Sequence, residues 1–327
     1  MGEVLERDDL LVALSAALQE GGRLVFVGGE AGVGKTTLVR AFADRAAAPV
    51  ALGSCEHLAT PAPFGPFADV AAATGGSLAD ALGDGADPRA LAGAVLDELA
   101  RPAVLVLEDV HWADEATLDA LRVLGRRVDR TRGLVVATFR DDEVDGDHPL
   151  RLVLGQLASA PGVSRLTVPL LSLDAVRELA APSGADGDAI HALTDGNPFY
   201  VTEVLAVGSA QLPETVKDAV LARAAPLGSE ARRLLEVVAL VPGRTELWLL
   251  EAVAPDVIEQ LDACLAAGVL RDDGLAIAYR HELARRVLAD SVPAGRRRRL
   301  HAALLEALRS EEGGRAPASR LAHHAER

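Results

Sequence analysis

The stretch Gly29-Glu30-Ala31-Gly32-Val33-Gly34-Lys35-Thr36 constrains the fold of this chain more than any other. It satisfies the phosphate-loop pattern G-x-x-x-x-G-K-[ST] at every fixed position, and Thr37 adds a second hydroxyl. Glycines lack a Cβ, so such a loop can take left-handed backbone angles and turn its N–H groups toward phosphate oxygens. Lys35 supplies a mobile charge for the β- and γ-phosphates, and the Thr36 hydroxyl is a ligand for Mg²⁺. The flanks fit as well. Leu24-Val25-Phe26-Val27 reads as a strand buried on both faces, and Leu38, Val39, Phe42 and Ala46 recur at helical spacing. A helix N-terminus pointing its dipole at the loop completes an anion site, so the chain is expected to bind a nucleoside triphosphate.

A strand–loop–helix start of this kind calls for an α/β fold with a parallel sheet, and the chain continues in that sense. Val50-Ala51-Leu52, Ala103 to Leu107, Leu134 to Phe139 and Arg165 to Val168 read as further strands. A helix over 7–20 precedes the first of them, a proline-rich loop over 61–66 and a Gly-rich surface connection over 75–89 lie between, and Leu91–Leu99 is helical. The strand Ala103–Leu107 runs straight into Glu108-Asp109, where ligands bind in parallel sheets. One of these carboxylates is expected to serve Mg²⁺, with Thr36 and Glu108 as the metal-side candidates, and the other to orient water. Which does which stays open. Arg140, just past the strand Leu134–Phe139, is placed to act as a γ-phosphate sensor. The acidic run 141–146 fails as a calcium loop, because Glu143 stands at its third position and Leu152 at its twelfth, and reads as a solvated loop.

From Leu173 the pattern turns helical, with Pro198 suited to the first turn of a helix. Val269-Leu270 and Leu275–Tyr279 around Asp273-Gly274 read as a hairpin, which after helices suggests a winged-helix unit. Leu300, Leu304, Leu305 and Leu308 mark one more amphipathic helix, and the helical pattern over 320–327 stops without a capping signal. The expected domains are therefore a phosphate-loop domain over 1–169, a helical lid over 170–212, a winged helix over 213–292 and the start of a helical, repeat-like region over 293–327. The chain reads as the front of a longer protein.

Composition narrows the partners. A formal net charge of −15 argues against nucleic-acid binding by this chain itself, and the Arg296–Arg299 run reads as a solvated helix face. Cys55 and Cys264 are too few for a disulfide framework or a cysteine zinc site. With no signal pattern and no long apolar run, a soluble, cytoplasmic protein without a membrane partner is expected.

The phosphate loop, Val104-Leu105-Val106-Leu107-Glu108-Asp109-Val110-His111-Trp112-Ala113-Asp114, Ala137-Thr138-Phe139-Arg140, Gly196-Asn197-Pro198 and Tyr279-Arg280-His281-Glu282-Leu283 together resemble the STAND class of P-loop ATPases. More narrowly, they are similar to the N-terminal, AAA-like ATPase region of large ATP-binding LuxR-type transcriptional regulators of actinobacteria. The resemblance implies ATP/ADP and Mg²⁺ as ligands. Gly29, Gly32, Val33, Gly34, Lys35, Thr36 and Thr37 would surround the phosphates, Glu108, Asp109 and Arg140 would carry hydrolysis, Pro198 would pack near adenine, and His281 would meet the phosphate end of ADP. It also implies a regulatory protein or inducer as partner, self-association in the ATP state, and DNA binding by a C-terminal helix-turn-helix lying outside this chain. The acidic pair departs from the class, which has Asp first, and Val4-Leu5-Glu6-Arg7-Asp8 matches the adenine-contacting V-G-R-E segment only in part.

Three functions fit these residues. A signalling switch would hydrolyse ATP slowly as its reset, a turnover ATPase or kinase would use the same loop for flux, and a scaffold would hold nucleotide structurally.

Overall fold

The computed structural model describes residues 5–56, 62–83, 86–144, 146–207, 213–272, 274, 276–310 and 318–326. It divides into two compact units, Met1–Leu170 and Leu171–Arg327.

In the first unit, five strands form one parallel sheet: β1 (Arg23–Gly28), β2 (Val50–Ser54), β3 (Val104–Glu108), β4 (Leu134–Thr138) and β5 (Val163–Thr167), in the order β2-β3-β4-β1-β5. Among the described residues these α-helices accompany them: α1 (Asp8–Glu20), α2 (Lys35–Ala43), α3 (Gly65–Thr74), α4 (Gly76–Ala81), α5 (Pro88–Glu98), α6 (Glu115–Gly125) and α7 (Pro149–Gln156). Successive side chains of a strand point to opposite faces, so the continuous apolar runs fill two cores. Val25, Val27, Val104, Val106, Leu134 and Val136 pack with Leu14, Leu38 and Phe42 from α1 and α2. Leu24, Phe26, Leu105, Leu107, Val135 and Ala137 pack on the other side with residues of α3 to α7 such as Phe67, Leu91, Leu121 and Leu150. Such a sheet, covered on both faces, is the α/β architecture expected.

Two local expectations are corrected. The stretch 75–89 is more than a surface connection, because Leu78 on α4 is fully buried in the core; residues 84 and 85 lie outside the described residues. The proline-rich loop gives way at Gly65 to α3, whose first turn lies on β2; a Cβ on Gly53 would overlap the Pro66 carbonyl. Residue 61 of that loop is not among those described.

The second unit holds α8 (Leu173–Ala180), α9 (Gly187–Thr194), α10 (Pro198–Val207), α11 (Glu214–Ala224), α12 (Gly228–Ala239), α13 (Leu247–Val253), α14 (Leu261–Ala266), α15 (Glu282–Ser291), α16 (Ala294–Arg309) and α17 (Ala318–Ala325). Strands β6 (Arg244–Glu246), β7 (Leu270–Asp272) and β8 (Ala276–Tyr279) form an antiparallel sheet in the order β6-β8-β7. The expected hairpin is the β7–β8 pair. Of its Asp-Gly turn only Gly274 lies among the described residues, in a left-handed conformation at φ 91°. The unit's core is built on Leu234, Leu235, Leu249, Leu250, Leu283 and Leu304. No helix among the described residues is long and apolar enough to cross a membrane.

Candidate functional site

Because the sheet is parallel, the C-terminal ends of β1, β3 and β4 share one edge, and these three strands are neighbours through β4. The phosphate loop leaves β1 there and enters α2. Gly29, Gly32 and Gly34 all have positive φ (152°, 79° and 96°). At Gly29 a Cβ would press on Val33 Cγ1 at 2.9 Å and the Val168 carbonyl oxygen at 3.0 Å, so the loop is closely backed. Gly34 is the N-cap of α2, and no side chain caps that helix, leaving its first N–H groups to turn outward for an acceptor. Thr36 is half-buried in the first turn of α2, and Thr37 beside it is exposed.

Lys35 is buried and donates from Nζ to the carbonyl oxygens of Gly29 (2.6 Å) and Glu30 (2.9 Å). Phosphate oxygens would replace these as acceptors. Burial holds the Lys35 ammonium below its ordinary range; Asp142 acts against that drop, Arg140 adds to it, and Asp109 and Asp141 oppose it. Burial, reinforced by Asp142, raises the Asp141 carboxyl while Lys35 pulls it down.

Glu108 ends β3 as a buried carboxylate, and its Oε1 has no hydrogen-bond partner among the described residues. A buried carboxylate oxygen without a donor is a place for a cation or its water, so the residues fit Mg²⁺. Asp109 follows in a left-handed conformation (φ 56°, ψ 43°), which a non-glycine residue adopts at a cost of about 1–3 kcal/mol. Its N–H donates to Thr138 Oγ1 at 3.0 Å, so the buried hydroxyl ending β4 pins the turn that carries the second carboxylate.

Arg140 does not stand alone. Its Nη1 donates to Glu143 Oε1 at 2.6 Å, and its guanidinium carbon lies 4.6 Å from the centre of the Trp112 ring. Trp112 Nε1 donates to Glu143 Oε2 at 3.3 Å, His111 Nε2 lies 3.4 Å from that same oxygen, and the Arg140 N–H approaches His111 Nδ1 at 3.4 Å. Burial alone would raise the Glu143 carboxyl, but the nearby His111 ring and the hydrogen bond and charge of Arg140 bring it down to about 2. The reading of 141–146 as a solvated loop is therefore corrected. Asp141–Glu143 is a single 3₁₀ turn whose last residue anchors Arg140, and Val144 after it is buried; residue 145 lies outside the described residues. His111 and Trp112 belong to this cluster. An opposite charge three residues after Arg140 was the available signal for Glu143.

Arg7, quoted above only within the part-matching N-terminal segment, braces the loop. Its buried guanidinium donates to the carbonyl oxygens of Val33 (3.4 Å) and Pro169 (2.7 Å), tying the phosphate loop to the chain beyond β5. Other residues of the quoted motifs have architectural work. Asp114 caps α6 by accepting from Ala116 N (2.9 Å) and Thr117 N (3.2 Å).

In the second unit, Gly196 has a φ of 74° and no room for a Cβ against the Leu171 carbonyl, while Asn197 Oδ1 accepts from Phe199 N at 3.2 Å. Pro198, half-buried, opens α10. His281 is buried at the N-cap of α15, and its ring meets Tyr200 of α10 edge-on with centroids 5.3 Å apart. Within that unit, then, Tyr200 joins the Pro198 helix to His281. Lys35, the acidic pair and Arg140 are assembled within the first unit.

A family model described as an AAA ATPase domain matches residues 3–137, the part that carries the loop and β1 to β4. Among solved structures, a Walker-type ATPase of Pyrococcus abyssi superposes with a TM-score of 0.61 at 14% identity, covering 87% of this chain and 96% of that one. The fold is that of a P-loop ATPase. The ORC2 protein of Aeropyrum pernix, solved as ADPNP and ADP complexes, superposes with a TM-score of 0.55 at 12% identity over 95% of this chain and 96% of its own. An uncharacterized protein of Rhizobium meliloti (strain 1021) is 28% identical over 261 residues, 69% of this chain. The chain spans about a quarter of that curated relative's length (24%).

Proposed function

We propose that this chain is the ATP-binding, slowly hydrolysing switch of a larger STAND-type signalling protein, a transcriptional regulator of the LuxR type. The observation that carries the reading is the meeting of Lys35, the Glu108–Asp109 pair and Arg140 at the C-terminal edge of β1, β3 and β4. Gly29 to Thr37 would surround the phosphates of an adenine nucleotide. Thr36 and Glu108 would hold Mg²⁺, which when bound neutralises charge on the β- and γ-phosphates. Asp109, on its pinned turn, would orient the attacking water and accept its proton.

Slow turnover follows from Arg140. The guanidinium is engaged by Glu143 and stacked on Trp112, so it must leave an ion pair before it can meet transition-state charge. Switch NTPases with an arginine in cis turn over at about 10⁻² per second. The same observation disfavours the turnover-enzyme reading.

The domains proposed are the nucleotide-binding domain over 1–169, a helical lid over 170–212, a winged helix over 213–292 and the start of a helical array over 293–327. The antiparallel β6-β8-β7 sheet among helices supports the winged helix. Pro198 would meet adenine and His281 the β-phosphate of ADP. The packing of His281 on Tyr200, which shares α10 with Pro198, supports a shared response to one ligand. Nucleotide biases an arrangement only by its differential affinity for it, so ADP would favour the closed form and ATP the open, self-associating one.

Steady-state turnover and small-angle scattering of the chain with ADP and with a non-hydrolysable ATP analogue test this. Expected are turnover well under about one per second, loss of turnover with retained binding in Asp109→Asn, and different scattering for the two nucleotides. Tens of turnovers per second, or identical scattering, would remove the switch.

A further inference from the structure

Three histidines of the second unit play no part in the proposed switch. His301 lies on α16, and His323 and His324 are consecutive on α17. His301 and His324 are more than nine-tenths buried, at 1% and 2% exposure, and His323 is half-buried. One ring nitrogen from each can be chosen so that all three lie within 4.8 Å of one another. The Nδ1 atoms of His301 and His324 are 2.8 Å apart. Ring centroids stand 5.1 Å apart for His301 and His324, 5.8 Å for His301 and His323, and 5.0 Å for the consecutive pair.

Consecutive residues on a helix point about 100° apart, so two can serve one point only if it lies between their directions. His301, arriving from α16, supplies the third direction. The placement of α17 does not depend on the imidazoles alone. Arg320 makes a two-pronged ion pair to Glu246, 2.7 Å to each oxygen, and a hydrogen bond to the Arg244 carbonyl at 3.2 Å, while Leu321 packs on the unit's core.

We propose that His301, His323 and His324 form a binding site for a divalent cation of the zinc class, with solvent as the fourth ligand, that clamps α17 to α16. Zinc takes imidazole nitrogens at about 2.0–2.1 Å in a tetrahedron, which sets ligand nitrogens about 3.3 Å from each other. The His301 and His324 Nδ1 atoms, at 2.8 Å, stand somewhat inside that spacing, and one nitrogen of each ring lies within 4.8 Å of the other two. Binding then asks for a ring movement of about half an ångström in that pair, a shift that side-chain rotation supplies. The chemistry agrees as well. Two nitrogens at 2.8 Å cannot both carry a proton on the line between them, so at least one of the two is unprotonated, the form that can donate a lone pair to a metal. An all-imidazole donor set suits zinc, cobalt, nickel and copper rather than magnesium or calcium, which prefer oxygen. The site is thus chemically distinct from the Mg²⁺ position at Thr36 and Glu108.

The test uses the chain freed of any histidine tag, stripped with EDTA, and titrated with Co²⁺ in the presence of excess Mg²⁺, which occupies oxygen-rich sites. One equivalent of Co²⁺ is expected to bind with the intense visible absorption of four-coordinate cobalt, and to be displaced by Zn²⁺. His323→Gln, at the half-buried position, should weaken binding about tenfold or more with an unchanged circular dichroism spectrum. Hydrogen exchange of the wild-type chain gives a readout that needs no variant, since Zn²⁺ should slow exchange in α17. Absence of stoichiometric Co²⁺, the pale spectrum of six-coordinate cobalt, or equal affinity in His323→Gln would overturn the site. The three rings would then be a packed, hydrogen-bonded cluster only.

Discussion

Replacing Glu143 by Gln removes one charge and little volume from the cluster that holds Arg140. Folding takes this carboxyl from its ordinary value of 4.5 down to about 2, against the burial that would raise it, through the adjacent His111 ring and the hydrogen bond and charge of Arg140. A drop of that size corresponds to about 3 kcal/mol of stabilisation, at ~1.4 kcal/mol per tenfold change in proton affinity. The side chain keeps 26% of its exposure, so solvent screening trims this to about 2 kcal/mol. The sign is that of a depressed carboxyl. The contribution is fully present above about pH 4.5, about half gone near pH 3.3, and lost once the pH falls through about 2. Urea unfolding read by Trp112 fluorescence, in a Trp248→Phe background, reports the first unit selectively. Wild type should exceed Glu143→Gln by about 2 kcal/mol at pH 7, with the gap closing as the pH falls from about 4.5 toward 2. A gap that is absent at pH 7, or unchanged down to about pH 3, would show that Glu143 is a solvated carboxylate and that Arg140 is not held by it.

Two further substitutions probe the frame around the site. Gly53→Ala places a methyl against the Pro66 carbonyl and should cost about 1–3 kcal/mol by pushing α3 off β2, seen as a lowered melting temperature; an unchanged melting temperature would mean that the close approach is not real. Thr138→Val keeps the shape of the buried side chain but removes the acceptor for Asp109 N–H, so stability should fall by about 1–3 kcal/mol, and hydrolysis should fall far more than ATP affinity. Equal losses in both would place Thr138 in binding instead.

Much of the fold was legible because its three central strands are buried on both faces, which writes them as unbroken apolar runs. Leu24–Val27, Ala103–Leu107 and Leu134–Phe139 have little other reading. β6 was not legible. Its three residues, Arg244–Glu246, carry no alternation and are a strand only because β8 pairs with them. The site divides in the same way. Lys35 and the Glu108–Asp109 pair announce themselves by position relative to a strand end. Thr138 matters through a neighbouring strand, and Glu143 through Arg140, His111 and Trp112, so neither role exists until strand order is known. In the acidic run 141–146, composition pointed toward solvent while the ion pair with Arg140 pulled its third residue inward. The histidines of α16 and α17 are 22 positions or more apart from His301 to His323, and only packing brings them together.

Everything proposed for the switch rests on an adenine nucleotide held by the phosphate loop, and one titration addresses it. Calorimetric binding of ATP and ADP with Mg²⁺, for wild type and Lys35→Ala, measures stoichiometry and affinity together. One nucleotide per chain is expected for wild type, with a thermal stabilisation near 2.7 kcal/mol at about a hundred times the dissociation constant, and binding lost or severely weakened in Lys35→Ala. No binding of either nucleotide by wild type, or equal binding by Lys35→Ala, would contradict it.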